Sequence, residues 1–395
     1  MLTMTKHHVR IAAMEKFYEF FAGGGMARMG LGPGWNCLFA NDFDHKKSRI
    51  YRQNWGDDGI LKTADVRALK AQELPGQSDL AWASFPCQDL SLAGGGAGLK
   101  GDRSGMFWPF WELMQTLGNE GRAPRIIAIE NVCGTLTSHG GKDFAAICSV
   151  FENSGYRFGA VIIDAALFVP QSRPRLFIIA VRNDLDVPSH LEAHGPSFMW
   201  HTRGLRTAYE KLPPKARNNW IWWNLPEPPK RNAQFTDLIE DSPSGVAWHT
   251  AAETRQLLTM MSEVNLAKVE EVKRIGRRMA GAVYKRTRFD EDGCKVQRAE
   301  IRFDDVAGCL RTPAGGSSRQ IIMIVDGKSV KSRLISSRET ARLMGLPDEY
   351  ELPENYNEAY HLTGDGVAVP VVRHLAAHIF EPVLLSQNNR KRRAA

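Results

Sequence analysis

The run Asp79-Leu80-Ala81-Trp82-Ala83-Ser84-Phe85-Pro86-Cys87-Gln88 sets the reading of the chain. Its apolar part, residues 79–84, predicts a short buried strand. Pro86 lacks an amide N–H and has a fixed φ, so a central strand stops there. Cys87 is then displayed on a loop at the strand's carboxyl end, where open α/β sheets bind ligands. A loop leading into a helix amino terminus favours the thiolate, the nucleophilic form of cysteine.

Working outward, Lys16 to Ala22 is a β-type apolar and aromatic run, followed by Gly23-Gly24-Gly25 and a predicted helix over Met26 to Leu31. Strand, glycine turn and helix bring backbone and free N–H groups close to a ligand. Trp35 to Ala40 predicts the next strand, which ends at Asn41-Asp42-Phe43-Asp44. An acid about 20 residues past the glycines is where a ribose diol is held, and Asp42 fits. Asp44 fits better as a helix N-cap. Asp65 is a third strand-end acid. Residues 93–102 are rich in glycine and predict a mobile flap. Arg103-Ser104-Gly105 precedes an amphipathic helix over Met106 to Leu117. Arg125 to Ile129 predicts a strand ending at Glu130-Asn131-Val132, a carboxylate awkward to bury unless it is used. Ala160 to Phe168 and Leu176 to Val181 read as two strands joined by the basic turn Pro170 to Arg175. Alternating β and α segments to about residue 185 predict an α/β fold with a largely parallel sheet.

The chain has 395 residues, which favours a large domain plus a smaller one. Residues 188–243, rich in Pro, Trp and Asn, read as irregular and insert-like. From Lys273 to Arg319 there are 12 Lys/Arg against 6 Asp/Glu, a balance suited to phosphate and groove contact. Arg338 to Met344 predicts a helix capped by Ser336-Ser337 and closed by Gly345-Leu346-Pro347. Residues 363–369 read as a glycine-containing turn. Residues 370–379 read as a helix packing back on the first domain, and Arg390 to Arg393 as a disordered tail. The net charge of +7 and pI near 9.1 are compatible with a polyanionic partner. None of the six cysteines forms a C-x-x-C pair, so neither a zinc site nor a disulfide framework is predicted. No apolar run approaches the roughly 20 residues of a membrane helix, and no signal peptide is evident, so a cytoplasmic location is expected.

These stretches together, in order from about residue 17 to 380, resemble the DNA cytosine-C5 methyltransferases. Phe20 to Gly25 resembles their first cofactor motif, Asn41 to Asp44 the ribose motif and Asp65-Val66 the adenine motif. Phe85 to Gln88 is similar to the catalytic Pro-Cys motif, and Glu130-Asn131-Val132 to the Glu-Asn-Val motif. Gln171 to Arg175 matches Gln-x-Arg-x-Arg, Arg338 to Tyr350 the Arg-Glu-x-Ala-Arg-x-Met-Gly-x-Pro motif, and Gly364 to Pro370 the last one. Three departures stand out: Glu19 for the usual Asp before the glycines, Met26 for a fourth glycine, and Asp365 for the usual Asn.

The resemblance implies a Rossmann-like S-adenosylmethionine-dependent methyltransferase sheet with a smaller target recognition domain. It assigns residues 1–185 to catalysis and cofactor, 186–333 to target recognition, and 334–395 to a segment packing back, with a basic tail from about 386. Cys87 would add to C6 of a flipped cytosine and make C5 nucleophilic. Glu130, carrying a proton, would hold N3, and Arg175 would bind O2, with Arg173 beside it. Phe21, Ala22, Gly23, Gly25, Asp42, Phe43, Asp65, Val66, Pro86, Asp365 and Gly366 would hold the cofactor. Gln88, Ser91, Arg103, Arg277, Arg278, Thr312, Gly315, Gly316 and Arg319 would contact DNA. No metal is implied. Asp365, set opposite a sulfonium, would favour S-adenosylmethionine over S-adenosylhomocysteine. Expected partners are double-stranded DNA and a cognate restriction endonuclease, with the protein a monomer.

A nicotinamide-type dehydrogenase shares the glycine turn but explains neither Cys87 nor Glu130. An RNA cytosine methyltransferase on this scaffold would show a Cys-Phe-Thr signature, absent here. A catalytically silent DNA-binding relative is disfavoured by intact Cys87, Glu130 and Arg175.

Overall fold

The computed structural model describes residues 14–86, 99, 104–290, 292–312 and 319–394, with side chains to 387. Cys87, Gln88, Ser91, Arg103, Gly315, Gly316 and all of the expected flap except Leu99 lie outside the described residues.

Seven strands form the large sheet: β1 (Glu15–Phe20), β2 (Trp35–Asp42), β3 (Leu61–Thr63), β4 (Leu80–Ala83), β5 (Ile126–Val132), β6 (Tyr156–Asp164) and β7 (Pro174–Arg182). Their order is β3-β2-β1-β4-β5-β7-β6. The first five are parallel, while β7 runs antiparallel to both β5 and β6. Alternate side chains feed two cores. On one face Phe17, Trp82, Ala128 and Ile179 meet α1 (Met26–Leu31) and α2 (His45–Trp55). On the other, Tyr18, Phe20, Ile127 and Ile178 meet α3 (Phe107–Asn119) and α4 (Lys142–Asn153). Strand order reverses at β1. The glycine turn after β1 and the Pro86 loop after β4 therefore leave adjacent strands at the switch point, where this class of sheet binds ligands.

Beyond β7 come β8 (Glu192–Ala193), α5 (Arg203–Glu210), α6 (Pro214–Asn218) and β9 (Trp222–Trp223). This segment is no loose insert. Trp200 and Trp223 are buried in the first core, Leu205 and Trp220 in the second, and the Ile221 amide donates to the Phe158 carbonyl at 2.6 Å. Tryptophans bury large apolar areas and need a core to do it. We propose that the boundary expected at 185/186 lies near residue 240 instead.

The smaller unit holds α7 (Ala251–Thr259), α8 (Glu263–Ile275) and an antiparallel sheet of β10 (Met279–Phe289), β11 (Lys295–Arg302), β12 (Ile321–Asp326) and β13 (Ser329–Leu334), in the order β11-β10-β12-β13. Val283, Ile301, Met323 and Val325 pack under α7 and α8. Ala280, Ala282, Ile322 and Ile324, on the opposite face, join the first core. β10 pairs with β12 only over Met279–Val283. From Tyr284 to Phe289 it pairs with β11, giving a two-stranded ribbon that extends past the sheet.

The chain then returns through α9 (Ser337–Leu343), α10 (Tyr356–Asp365), α11 (Val369–Leu375) and α12 (Glu381–Ala394). Ser336 and Glu339 form a capping box. The Arg333–Glu339 ion pair, 2.6 Å and fully buried, ties β13 to α9. Two expectations are corrected here. The turn expected from residue 363 starts only at Gly366, because α10 runs through Gly364 and Asp365. The basic tail continues α12 through Ala394 rather than being disordered. Lys and Arg are good helix formers, and Val383 and Leu384 anchor its start in the core. The stretch Tyr356–Gln387 is, against expectation, apolar and long enough to span a membrane, but 61% of that apolar window is buried inside the fold.

Candidate active site

The glycine turn is locked to the end of β2. The Asp42 carboxylate accepts the Gly23 and Asp44 amides, each at 2.8 Å. Burial raises the Asp42 pKa, against the pull of nearby Lys47 and those two N–H groups. Asp44 caps α2, accepting the Lys46 and Lys47 amides. Phe21 precedes the turn at φ 57, a strained value for a non-glycine residue. Gly25 has φ 79, and a Cβ there would lie 2.2 Å from the Trp55 indole nitrogen. Phe43 presents an exposed ring, 64% accessible, at the end of β2.

The departures find partners. Met26 packs its sulfur where a Cβ on Gly366 would come within 2.2 Å. Glu19 is buried and accepts the Arg28 amide at 3.2 Å, pinning α1 to β1. Burial pushes its pKa up to about 8, despite that N–H and the Arg28 charge. Asp365 forms an ion pair with Lys47 at 2.6 Å. Its charge is therefore engaged by a lysine, a partner the sequence does not reveal.

Asp65 accepts the Arg67 amide and pairs with its guanidinium at 2.6 Å. That hydrogen bond holds its pKa below the usual carboxylate range. The Val66 side chain packs into the second core. Ala22 is buried in the first core.

The catalytic strands meet at β4, β5 and β7. Asn131 Nδ2 donates to the Phe85 carbonyl at 3.2 Å, tying the Glu-Asn-Val strand end to the Pro86 loop. Val132 lies opposite Arg175, and Glu130 opposite Phe177. Glu130 and Arg175 are thus diagonal neighbours on one face, and Arg175 Nε sits 3.2 Å from Glu130 Oε1.

Arg173, expected beside Arg175 among the catalytic groups, turns inward. It is 2% exposed. Its guanidinium donates to the carbonyls of Leu310 at 3.0 Å and of Gly364 and Gly366 at 2.7 Å each. We assign it a positioning role. The same turn holds residues 307–310: Ser172 donates to Ala307, Ala307 to Pro170, and Leu310 to Gln171 Oε1. Gln171 Nε2 reaches the Leu343 carbonyl. One six-residue turn therefore joins the catalytic strands, the smaller unit and the last helices.

Sequence reasoning missed Cys309. Its sulfur lies 3.6 Å from Arg173 Nη1 and 3.9 Å from Arg175 Nη2. Burial alone would raise the thiol, but the guanidinium groups of Arg173, Arg175 and Arg311 together outweigh it and bring the pKa below the ordinary value. An isolated cysteine in a basic segment carries no signal of such a neighbourhood.

Of the described DNA candidates, Thr312 is half-buried beside Gly364. Arg319 bonds the Asn357 side chain at 2.6 Å. Arg277 is exposed, and Arg278 pairs with Asp241 at 2.5 Å. Both precede β10 and lie roughly 30 Å along it from Arg288, at the end away from the ribbon. On the ribbon, Tyr284, Arg286, Arg288, Arg298 and Glu300 share one face by register. A Cβ at Gly308 would run into the Tyr284 ring, so this face begins beside Cys309. No cluster of metal-ligating side chains occurs among the described residues.

A family model described as C-5 cytosine-specific DNA methylase matches residues 15–381. The chain is 23% identical over 366 residues to Type II methyltransferase M.HhaI of Haemophilus parahaemolyticus, covering 92% of this chain and 94% of that one. It is 24% identical over 386 residues to Type II methyltransferase M.HpaII of Haemophilus parainfluenzae, covering 92% and 89%. Among solved structures, the fold is similar to S. pombe Dnmt2 methyltransferase, with TM-score 0.57, 18% identity and 93% and 98% coverage. It is also similar to the Entamoeba histolytica methyltransferase EhMeth, with TM-score 0.60, 13% identity and 94% and 99% coverage.

Proposed function

The chain belongs to the C-5 cytosine-specific DNA methylases, and from that premise we propose which of its residues carry the reaction. It is an S-adenosylmethionine-dependent DNA cytosine-C5 methyltransferase. Cys87 is the nucleophile, Glu130 the group at N3 and Arg175 the group at O2. The observation that carries this reading is the Glu130–Arg175 pair at 3.2 Å, with Asn131 tethering the Pro86 loop beside it.

The chemistry follows from those positions. Cytosine C5 does not attack a methyl group unaided. Addition of the Cys87 thiolate to C6 moves electron density to N3 and O2 and makes C5 nucleophilic. Glu130 gives N3 a proton as charge arrives there, and Arg175 stabilises O2. Arg175 faces both Glu130 and Cys309, so its orientation is set before a base arrives. The base must leave the duplex to reach a site at the sheet's switch point.

The chemistry of the side chains around the glycine turn suits an adenosyl group. Phe43 offers an exposed ring for a base, Asp42 a buried carboxylate for a diol, and the glycine turn an open approach at Gly23. S-adenosylmethionine, when bound, supplies an electrophilic methyl group. Phe21, Gly25, Asp65, Pro86 and Gly366 border the same space in this reading.

Target recognition is assigned to residues 240–333, with the ribbon face of Arg286, Arg288 and Arg298 toward DNA. A two-stranded ribbon is a shape the major groove admits. The Type II designation of the relatives supports a cognate restriction endonuclease as partner, and a 44.2 kDa monomer is expected by light scattering. The assignment of roles is tested by Glu130→Gln and Arg175→Lys, which should each lower kcat by about 100-fold or more while duplex binding is kept. Unchanged kcat in either would remove that residue from the mechanism. Bisulfite sequencing of plasmid from an expressing host should give one methylated sequence context.

A further inference from the structure

The ribbon face that begins beside Cys309 is ordered by one carboxylate. Glu300 lies opposite Tyr284, and Arg286 lies opposite Arg298. Glu300 Oε1 accepts Arg288 Nε at 2.7 Å and Nη2 at 2.5 Å, and its Oε2 stands 3.3 Å from Arg286 Nε. The Arg286 guanidinium also rests over the Tyr284 ring, 5.5 Å from its centroid. That ring packs against Gly308, the residue before Cys309. The Arg286 side chain is nonetheless 51% exposed. Among the described residues its two terminal nitrogens have no hydrogen-bond partner, and Arg298 has no partner at all. Two guanidinium groups directly opposite one another on a ribbon repel, and an electron-rich partner relieves that repulsion.

We propose that Arg286 reads a guanine of the recognised sequence, through the O6 and N7 acceptors of its major-groove edge. This rests on reading the ribbon face as turned toward DNA. Guanine alone among the bases offers two acceptors on that edge. The free end of a guanidinium offers two parallel N–H donors in a rigid fork that matches them. Glu300 on one side and Tyr284 beneath fix the fork before DNA arrives, so less side-chain freedom is lost on binding. Arg288 gives two nitrogens to Glu300 and stands one residue pair farther from Cys309, a position suited to the phosphates. Arg286 lies roughly 7 Å along the strand from Tyr284. At about 3.4 Å per base pair, the guanine then falls within about three base pairs of the target cytosine.

The test uses the full-length protein, S-adenosylmethionine and duplexes carrying the sequence that bisulfite sequencing identifies. Each guanine within about three base pairs of the target is replaced in turn by 7-deazaguanine, which pairs normally but lacks N7. At one position the wild-type kcat/KM should fall about tenfold. Arg286→Lys keeps the charge and loses the fork. It should act on the unmodified duplex about tenfold less well, and lose less than twofold more on 7-deazaguanine at that position. Plasmid from cells expressing this variant should be methylated at sites with other bases there. A recognised sequence with no guanine in that range would overturn the guanine assignment. So would a 7-deazaguanine loss that is the same in wild type and variant, or absent from both. A salt slope of DNA binding that Arg298→Ala leaves unmoved would overturn the reading of the ribbon face itself.

Discussion

A buried guanidinium is costly unless its donors find partners, and the two terminal nitrogens of Arg173 meet three backbone carbonyls from two distant segments, while its Nε is buried without one. Arg173→Ala should cost about 2–4 kcal/mol in urea unfolding, because it leaves those carbonyls without a donor. Arg175, two residues on, reaches Glu130 instead, and its replacement should act on turnover more than on stability. Nothing in Gln171-Ser172-Arg173-Pro174-Arg175 distinguishes the two arginines. The difference arises because Arg173 precedes β7 and turns under it, while Arg175 lies on the strand. Glu130 was legible, since a carboxylate ending an apolar strand asks for a use. Glu19 offers a pH test. Its pKa rises from 4.5 to about 8 in the fold, so the folded state holds the proton across that window. Its stabilising contribution is full below pH 4.5 and is lost as pH rises through 8, at up to about 1.4 kcal/mol per pH unit. Glu19→Gln should flatten the stability profile between pH 5 and 8; an unchanged profile would show that Glu19 is not protonated in the fold.

The ribbon formed by β10 and β11 shows how an element redistributes a charge count. The excess of basic residues from 273 to 319 is plain in the sequence, but their faces depend on strand register, which it does not print. Arg277 and Arg278 stand out as an adjacent pair, yet one is tied to Asp241 and both precede β10, at the end away from the ribbon. Arg286 and Arg288 share Glu300 as partner, leaving a net positive face with Arg298. If that face follows DNA, Arg288→Ala and Arg298→Ala should each reduce the slope of log K against log salt by roughly 1. Arg278→Ala should leave it unchanged. Fluorescence anisotropy over a salt series reads both, and a slope moved by Arg278 rather than by the ribbon would reverse the assignment.

Over the whole molecule, the two units share apolar contacts rather than a linker. Ala280, Ala282, Ile322 and Ile324 belong to the same core as β1 and α11. A relative's segment replacing residues 240–333 should change the methylated sequence, whereas one replacing 189–225 should unfold the large unit, since Trp200, Trp220 and Trp223 leave its cores. The fold class was legible because strand, turn and helix alternate with strong apolar patterning. The tryptophan segment was not, because its burial comes from tertiary contacts and not from any local period. All these parts converge on Cys87, whose addition to the base is the central claim. Its direct test is a duplex carrying 5-fluorocytosine at the methylated position, incubated with the protein and S-adenosylmethionine. Fluorine cannot leave C5 as a proton does, so the wild type should form a denaturation-resistant protein–DNA adduct and Cys87→Ser should form none. Absence of the adduct with wild-type protein on its own target, or an adduct that persists in Cys87→Ser, would contradict the account.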